Sequence, residues 1–292
     1  MAGKNRKLSF GPGFLVTAAF IGPGTVTTCS IAGADFGYAL IFALVFASVT
    51  TVVLQLMTGR LSLGSGQDLA QSLRGYSQNR WIRLLFILLT LSSITFGCAA
   101  YEAGNIIGGS LGLDMITPIP QKIWVVLISA VAIIILGIRK YRLVEKFLIV
   151  LVFLMSLSFL TTMVIIRPNL LGIIKGLVPS FPPNSLFIVL ALVGTTVVPY
   201  NLFLHSSAVK EKWKSKGHLK DVKKDLLFSV CLGGFISISI VITSAVAFHT
   251  GGITLESGAQ MAQQLKPLFG TFTNILFGIG FFAAGMSSAV TA

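Results

Sequence analysis

Charged residues are scarce in this chain of 292 residues. Only 11% of the positions are Asp, Glu, Lys or Arg, and only 9 of them are acidic. Hydrophobic residues make up 54%, and the mean hydropathy is +0.88. A typical soluble domain carries about 25% charged residues. The composition therefore excludes an ordinary soluble globular protein.

Cysteine and the usual catalytic motifs are also poorly represented. Cys29, Cys98 and Cys231 are scattered through apolar segments and form neither a CxxC pair nor an even-numbered disulfide framework. We interpret them as small core residues. The sequence has no helix-opening glycine-rich phosphate loop, no paired carboxylates and no nucleophile–base arrangement. It therefore predicts neither an enzyme nor a bound cofactor.

Eight stretches of the chain contain no charged residue. A helix that crosses a bilayer needs about 20 apolar residues, with a range of about 17–25. Seven stretches meet that length, and the fourth gains from its flank, where Lys122 can extend its ammonium group to the headgroups. We therefore predict eight crossings and an all-α multi-pass membrane protein. The stretches are Leu8–Ala34, Phe36–Gly59, Leu84–Tyr101, Ile123–Ile138, Phe147–Ile166, Gly176–Val209, Leu226–Leu255 and Pro267–Ala292.

The basic residues indicate an orientation in the membrane. A net charge of +13 would suggest a nucleic-acid partner in a soluble protein. Here 18 of the 22 Lys and Arg residues fall in four groups that share one side if the crossings alternate. The positive-inside rule then predicts that the N-terminus lies in the cytoplasm. We expect a protein of the plasma (inner) membrane, whose partner is the lipid bilayer and not nucleic acid. The groups are Lys4, Arg6 and Lys7; Arg60, Arg74, Arg80 and Arg83; Arg139, Lys140, Arg142 and Lys146; and Lys210, Lys212, Lys214, Lys216, Lys220, Lys223 and Lys224.

Two proline-containing interruptions break apolar segments one and six. They are Gly22-Pro23-Gly24-Thr25 and Val198-Pro199-Tyr200-Asn201. Proline inside a helix removes a backbone donor and clashes with the preceding turn. Opened backbone at membrane depth is tolerated only where protein buries it or a water-filled cavity faces it. Broken helices at corresponding places in two halves of a chain mark a transporter's substrate site. We therefore predict a site where helices 1 and 6 meet.

The connection Arg167–Asn184 divides the chain into two parts. Its four prolines predict irregular structure. Each part opens with a broken helix, so we predict a first five-helix repeat at 1–166 and the start of a second, inverted repeat at 167–292. The second repeat has only three crossings. We therefore expect either a fragment of a longer protein or a natural short form.

Several sequence motifs resemble the NRAMP (natural resistance-associated macrophage protein) family of proton-coupled divalent metal transporters. The resemblance implies the leucine-transporter-type inverted-repeat fold, alternating access, and symport of a Mn, Fe or Mg class ion with protons. The motifs are Gly11-Pro12-Gly13-Phe14-Leu15, Gly22-Pro23-Gly24-Thr25, Ala32-Gly33-Ala34-Asp35-Phe36-Gly37-Tyr38, Leu54-Gln55, Ser65-Gly66-Gln67-Asp68-Leu69-Ala70, Val198-Pro199-Tyr200-Asn201-Leu202-Phe203-Leu204-His205-Ser206 and Ala283-Ala284-Gly285-Met286-Ser287-Ser288.

The metal ligands expected from this resemblance are altered. Typical members have Asp-Pro-Gly-Asn in the first helix, whereas this chain has Gly22 at the aspartate position and Thr25 at the asparagine position. In the sixth-helix motif Thr195 replaces alanine, Val198 replaces methionine and Tyr200 replaces histidine. The carboxylate, the carboxamide and the thioether are all absent, so the substrate that the resemblance implies conflicts with the residues present.

The remaining donors are neutral. Backbone carbonyls freed by the two breaks, threonine hydroxyls and one phenol could contact a substrate. Burying a divalent charge without an anionic partner is very costly, and Mg²⁺ is usually bound through at least one carboxylate. We therefore predict no metal ligand set. The predicted substrate-binding residues are Gly22, Gly24, Thr25, Thr195, Thr196, Val198 and Tyr200.

Two alternatives to a metal transporter follow from the same residues. The half-helix after Gly24 presents unpaired amides and partial positive charge, which is a site suited to anions. A symporter of a small carboxylate or polar solute is therefore one alternative, and a sensor relative that binds without transport is another.

Glu102 and His205 are candidates for proton coupling. An ionisable side chain inside a spanning segment is a functional hypothesis by default. The third helix of the family usually carries Asp and Glu where this chain has Glu102 and Asn105. Histidine can exchange protons near neutral pH. The alternatives are a neutral Glu102 hydrogen-bonded to Tyr101 or backbone, and a packed, hydrogen-bonded His205.

Overall fold

The computed structural model describes residues 11–13, 21–137, 142–213 and 215–291, and the regular structure within these ranges is helical. The α-helices are α1 Pro23–Phe36, α2 Ile41–Ser65, α3 Leu69–Arg74, α4 Arg80–Asp114, α5 Gln121–Gly137, α6 Arg142–Ile165, α7 Leu170–Lys175, α8 Leu186–Thr196, α9 Pro199–Lys212, α10 Leu219–Ala247, α11 Gly258–Ala262, α12 Lys266–Phe269 and α13 Thr273–Thr291. Short 3₁₀ turns occur at Lys216–His218, His249–Gly251, Gln263–Leu265 and Gly270–Phe272.

Six segments of the described chain are long and apolar enough to cross a membrane. They are Ile41–Ser65, Arg80–Asp114, Phe147–Ile165, Leu186–Lys212, Leu219–Gly251 and Gly258–Val290. Helix α5, with 17 residues, is a shorter apolar helix, and α1 follows residues 14–20, which lie outside the described part. The arrangement confirms the predicted all-α multi-pass class.

Helix α4 is longer than its uncharged stretch. The sequence stretch ends at Tyr101, yet the helix continues for 13 further residues to Asp114. Its 35 residues span about 52 Å at 1.5 Å per residue, well beyond the bilayer core of about 30 Å. Glu102 therefore lies inside a continuous helix and not at a helix end.

The break in the sixth apolar segment has the predicted geometry. Helix α8 ends at Thr196, Val198 is extended with φ −97° and ψ 124°, and α9 begins at Pro199. Proline suits this first helical position because its missing N–H would have no partner there. The first segment has the same arrangement, with Gly22 extended at φ −106° and ψ 178° and Pro23 opening α1.

The connection between the two parts contains one regular element that the sequence did not predict. Helix α7 occupies six residues of it, and the Asn169 side chain caps this helix by accepting a hydrogen bond from Gly172 N at 3.2 Å. The prediction of irregular structure throughout was wrong because the four prolines flank these residues and leave them free to form one capped turn.

Contacts between connections support the alternation of crossings. At one end, Lys210 Nζ lies 2.7 Å from Gln71 Oε1 and 3.7 Å from Asp68 Oδ2, so α3 contacts the end of α9. At the other end, Phe42 N donates to Gly176 O at 2.9 Å. Which end faces the cytoplasm stays a prediction. Of the basic groups behind it, Lys4, Arg6, Lys7, Arg139, Lys140 and Lys214 lie outside the described residues.

Close packing of α4 against α13 depends on glycine. A Cβ on Gly112 would lie 2.5 Å from Gly278 O, and a Cβ on Gly285 would lie 2.5 Å from Asn105 O. Any larger side chain at these positions would force the backbones apart. The contact brings the middle of α13 to the face of α4 that also packs on Pro23, where a Cβ on Gly108 would lie 2.3 Å from the proline ring.

Candidate functional site

The two helix breaks meet around one small cavity of about 30 Å³. A space of this size holds about one water molecule or one small ion. Six of the seven predicted binding residues line it. The lining residues are Gly22, Gly24, Thr25, Tyr101, Asn105, Thr195, Val198 and Tyr200.

Thr196 is the predicted binding residue that does not line the cavity. Its side chain is buried, and its hydroxyl donates to Leu192 O at 3.3 Å. Its carbonyl accepts a hydrogen bond from Thr51 Oγ1 at 3.2 Å. Thr196 therefore links the end of α8 to α2, because the helical rotation between adjacent residues turns it away from Thr195.

Tyr101 and Asn105 line the cavity although the site prediction omitted them. Tyr101 donates from its hydroxyl to Gly194 O, and its ring packs edge-on against Tyr200 with centroids 5.7 Å apart. Asn105 is more than nine-tenths buried. The two residues are four positions apart and share one face of α4. This polar i, i+4 pair within an apolar helix was the available sequence signal.

Both half-helices begin at the cavity without a capping side chain. Gly22 and Val198 are the N-cap residues of α1 and α9, and neither helix has an acidic residue in its first turn. The first-turn amides of a helix give its N-terminal end partial positive charge, and this charge faces the cavity from both helices. The α8 carbonyls of Gly194 and Thr196 already accept side-chain hydrogen bonds. The cavity can therefore bind a small ligand through amides, hydroxyls and the remaining neutral oxygens.

Glu102 does not line this cavity, although its carboxyl group lies beside Asn105, which does. It lines a separate, mostly apolar groove of about 430 Å³ with Cys98, Ser129, Ile133 and Ala289, among others. Its Oε2 atom is buried and has no hydrogen-bond partner among the described residues. Within those residues no group of three or more His, Cys, Asp or Glu side chains could hold a metal ion. The proton-coupling role of Glu102 stays a prediction.

His205 is fully buried on α9, beyond the cavity. Its Nδ1 lies 3.5 Å from Thr58 Oγ1, while Nε2 has no partner in the described part of the chain. Gln55 Oε1 and both polar atoms of the Asn201 side-chain amide are also buried, and they too have no hydrogen-bond partner among the described residues. Such groups usually bind ordered water. The role of His205 in proton coupling also stays a prediction.

Curated relatives match nearly the whole chain. The divalent metal cation transporter MntH of Brucella suis biovar 1 (strain 1330) is 32% identical over 304 residues, which cover 98% of this chain and 65% of the relative. A protein of the same name from Nostoc sp. (strain PCC 7120 / SAG 25.82 / UTEX 2576) is 31% identical, covering 97% and 66%. The chain thus spans slightly less than two thirds of the length of these relatives.

Solved structures show the same fold. A manganese transporter of Eremococcus coleocola, in complex with an aromatic bis-isothiourea substituted compound, matches with a TM-score of 0.72 at 22% identity, covering 96% of this chain and 62% of that one. A mutant form of the same transporter gives a TM-score of 0.73 at 21% identity, covering 100% of this chain and 66% of that one. The family model described as natural resistance-associated macrophage protein-like matches residues 13–292. By this match and these relatives, the chain belongs to the Nramp family.

Proposed function

We propose that the chain forms the substrate-binding part of a secondary active transporter for a divalent metal cation. The cation binds in the cavity between the two helix breaks and crosses the membrane by alternating access. The curated relatives are named divalent metal cation transporters, and the solved structures with this fold are described as manganese transporters.

The observation that carries this proposal is the meeting of two broken helices around a single-ion cavity. Backbone that leaves its helical hydrogen bonds at membrane depth needs protein or a watery cavity around it. Here residues of both breaks, Gly22 and Val198, line the same space of about 30 Å³. In transporters built from inverted repeats, this junction is where substrate binds.

The donors favour a hard cation. All the polar atoms of the lining residues are oxygen or nitrogen, and Val198 supplies no sulfur. Hydroxyl, carbonyl and water oxygens suit Mg²⁺ and Mn²⁺, whereas thioether and thiolate ligands select softer ions. No acidic side chain among the described residues lines the cavity, so hydroxyl, amide and backbone carbonyl oxygens are the ligands that it offers.

The proposal also includes coupling to protons, the division into two repeats and the orientation of the chain in the membrane. Glu102 and His205 carry the coupled protons, and the N-terminus faces the cytoplasm of a plasma (inner) membrane. Residues 1–166 form the first repeat, and 167–292 begin the inverted second repeat. Support comes from the ionisable Glu102 inside α4 and from the one-sided distribution of basic residues.

Reconstitution of the full chain into proteoliposomes tests the proposal. With a metal-sensitive dye inside, saturable uptake of Mn²⁺ or Mg²⁺ is expected, and protein-free vesicles should show none. An inwardly directed proton gradient should accelerate uptake. Absence of uptake for every divalent ion, together with accumulation of a small carboxylate such as succinate, would overturn the proposal in favour of a solute carrier.

A further inference from the structure

A cavity of about 640 Å³ with a partly polar lining opens where α6 and α10 end. Its volume is in the range of sites that bind small molecules, about 300–1,000 Å³. Ile166, which lines it, directly follows the apolar span Phe147–Ile165. The cavity therefore lies at the level where the hydrocarbon core of the bilayer meets the headgroups. Its polar lining residues are Thr243, Gln260, Gln263, Gln264 and Lys266.

Lys266 and Gln260 supply hydrogen-bond donors to this cavity. Lys266 is exposed and forms no ion pair with any described residue. Gln260 Oε1 accepts hydrogen bonds from Glu256 N at 2.7 Å and Ser257 N at 3.2 Å, which fixes the side-chain amide. Its Nε2 makes no hydrogen bond to a described residue, and the acidic side chain of Glu256 does not line the cavity. An ammonium group and an amide N–H group together suit a phosphate, since both donate to its oxygens.

An apolar groove of about 360 Å³ lies next to the polar cavity. Pro267 lines the cavity and the next residue, Leu268, lines the groove, so the two spaces adjoin at α12. The groove follows α6 from Leu151 to Thr161, which is about 15 Å of helix at 1.5 Å per residue. This length is half of the bilayer core of about 30 Å. The groove therefore has the depth of one leaflet.

The lining of the groove suits hydrocarbon. Apart from two hydroxyl groups its side chains are apolar, and both hydroxyls, those of Ser158 and Thr161, donate to a carbonyl one turn earlier at 2.8 Å. Gly280 contributes no side chain to the wall, and a Cβ there would lie 3.0 Å from Met155 Sδ. Since these hydroxyls are already paired, the groove offers contact with carbon and not hydrogen bonds.

We propose that the two adjoining spaces bind one phospholipid of the surrounding leaflet, with an anionic headgroup of the phosphatidylglycerol type. Lys266 and Gln260 hold the phosphate, the polar cavity takes the rest of the headgroup, and one acyl chain lies in the groove between α6 and α13. A headgroup that carries its own ammonium would place a second cation beside Lys266 and bind more weakly. The site is separate from the cavity between the helix breaks, so the proposal does not depend on the transported substrate.

Native mass spectrometry of the purified full chain in detergent tests the proposal. Titration with phosphatidylglycerol should give one tightly bound molecule, with a dissociation constant at least about fivefold below that for phosphatidylethanolamine. Lys266→Ala should raise the dissociation constant for phosphatidylglycerol by about three- to tenfold, because it removes one charge-assisted contact.

Lys175→Ala is the matched control for the loss of charge. Lys175 is exposed, ends α7 and lines neither space. It lies at the same end of the molecule as Lys266, because α7 adjoins the end of α1, which adjoins the end of α10. Its dissociation constant for phosphatidylglycerol should stay within about twofold of the wild-type value.

Ser158→Phe tests the groove separately from the headgroup contacts. The phenyl group fills part of the groove, so the dissociation constant for phosphatidylglycerol should rise by at least about threefold. Val150→Phe is the control, because Val150 also lies on α6, is 52% exposed and lines neither space. Thermal unfolding in lipid-free detergent should give both variants the same midpoint.

Four outcomes would overturn the lipid site. Lys266→Ala and Lys175→Ala could bind phosphatidylglycerol equally well, or Ser158→Phe could leave its binding unchanged. Full displacement of the lipid by an equal concentration of glycerol 3-phosphate would mean that the phosphate alone is recognised. A dimer that is lost in Ser158→Phe, without any change in lipid binding, would assign the groove to a second copy of the chain. These measurements involve no metal, so each of these results leaves the proposed transport of a divalent cation standing.

Discussion

Replacing Gly24 by alanine should separate transport from stability. Gly24 is the second residue of α1 and lines the cavity between the helix breaks. A Cβ added there meets no heavy atom within 4 Å, and the φ angle of Gly24 lies outside the left-handed region. The backbone and its neighbours therefore accept the new methyl group, which projects into open space.

The expected effects on stability and on transport have opposite signs. Alanine is favoured over glycine in a helix by up to about 1 kcal/mol, and by less near a helix end, so the unfolding temperature should stay level or rise. The cavity has a volume of about 30 Å³, which is about the volume that one molecule occupies in liquid water. A methyl group removes much of that room. We expect the apparent affinity for the metal, measured from transport rates, to fall at least about tenfold, which corresponds to about 1.4 kcal/mol of binding free energy.

The assay compares Gly24→Ala with Gly104→Ala. Gly104 lies in α4, is exposed, and likewise has open space around an added Cβ, but it does not line the cavity. Initial rates of Mn²⁺ uptake into proteoliposomes and thermal unfolding should be recorded for both variants. If Gly24→Ala transports Mn²⁺ with the same apparent affinity as Gly104→Ala, the cavity is not where the cation binds.

Three further substitutions test individual features of the site. Val198→Met adds a thioether to the cavity wall and should raise the affinity for Cd²⁺ relative to Mg²⁺ by about tenfold in competition binding; unchanged selectivity would mean that position 198 does not contact the bound cation. Glu102→Gln should abolish the acceleration of uptake by a proton gradient. Persistent acceleration would remove Glu102 from the coupling mechanism. Tyr101→Phe deletes the hydrogen bond to the Gly194 carbonyl and should lower stability by about 1 kcal/mol in denaturant unfolding, and an unaltered midpoint would argue against that bond.

The sequence by itself determined the class of fold and the positions of the two helix breaks along the chain. Long uncharged stretches predicted the crossings because the thickness of the bilayer sets the length of an apolar helix. Pro23 and Pro199 predicted the breaks because proline cannot continue a helical hydrogen-bond ladder. These are local properties of the chain, and six residues around the two prolines do line the cavity.

Only the tertiary structure decided which other helices contribute to the site and which face of each is turned towards it. Adjacent residues on a helix point about 100° apart, so Tyr101 and Asn105 line the cavity while Glu102 lines the groove beside it. Asn105 lies beside Gly285 because α4 and α13 pack backbone to backbone through glycine. Helix rotation and approach depend on packing between residues far apart in the chain, and one sequence does not encode these in any local pattern.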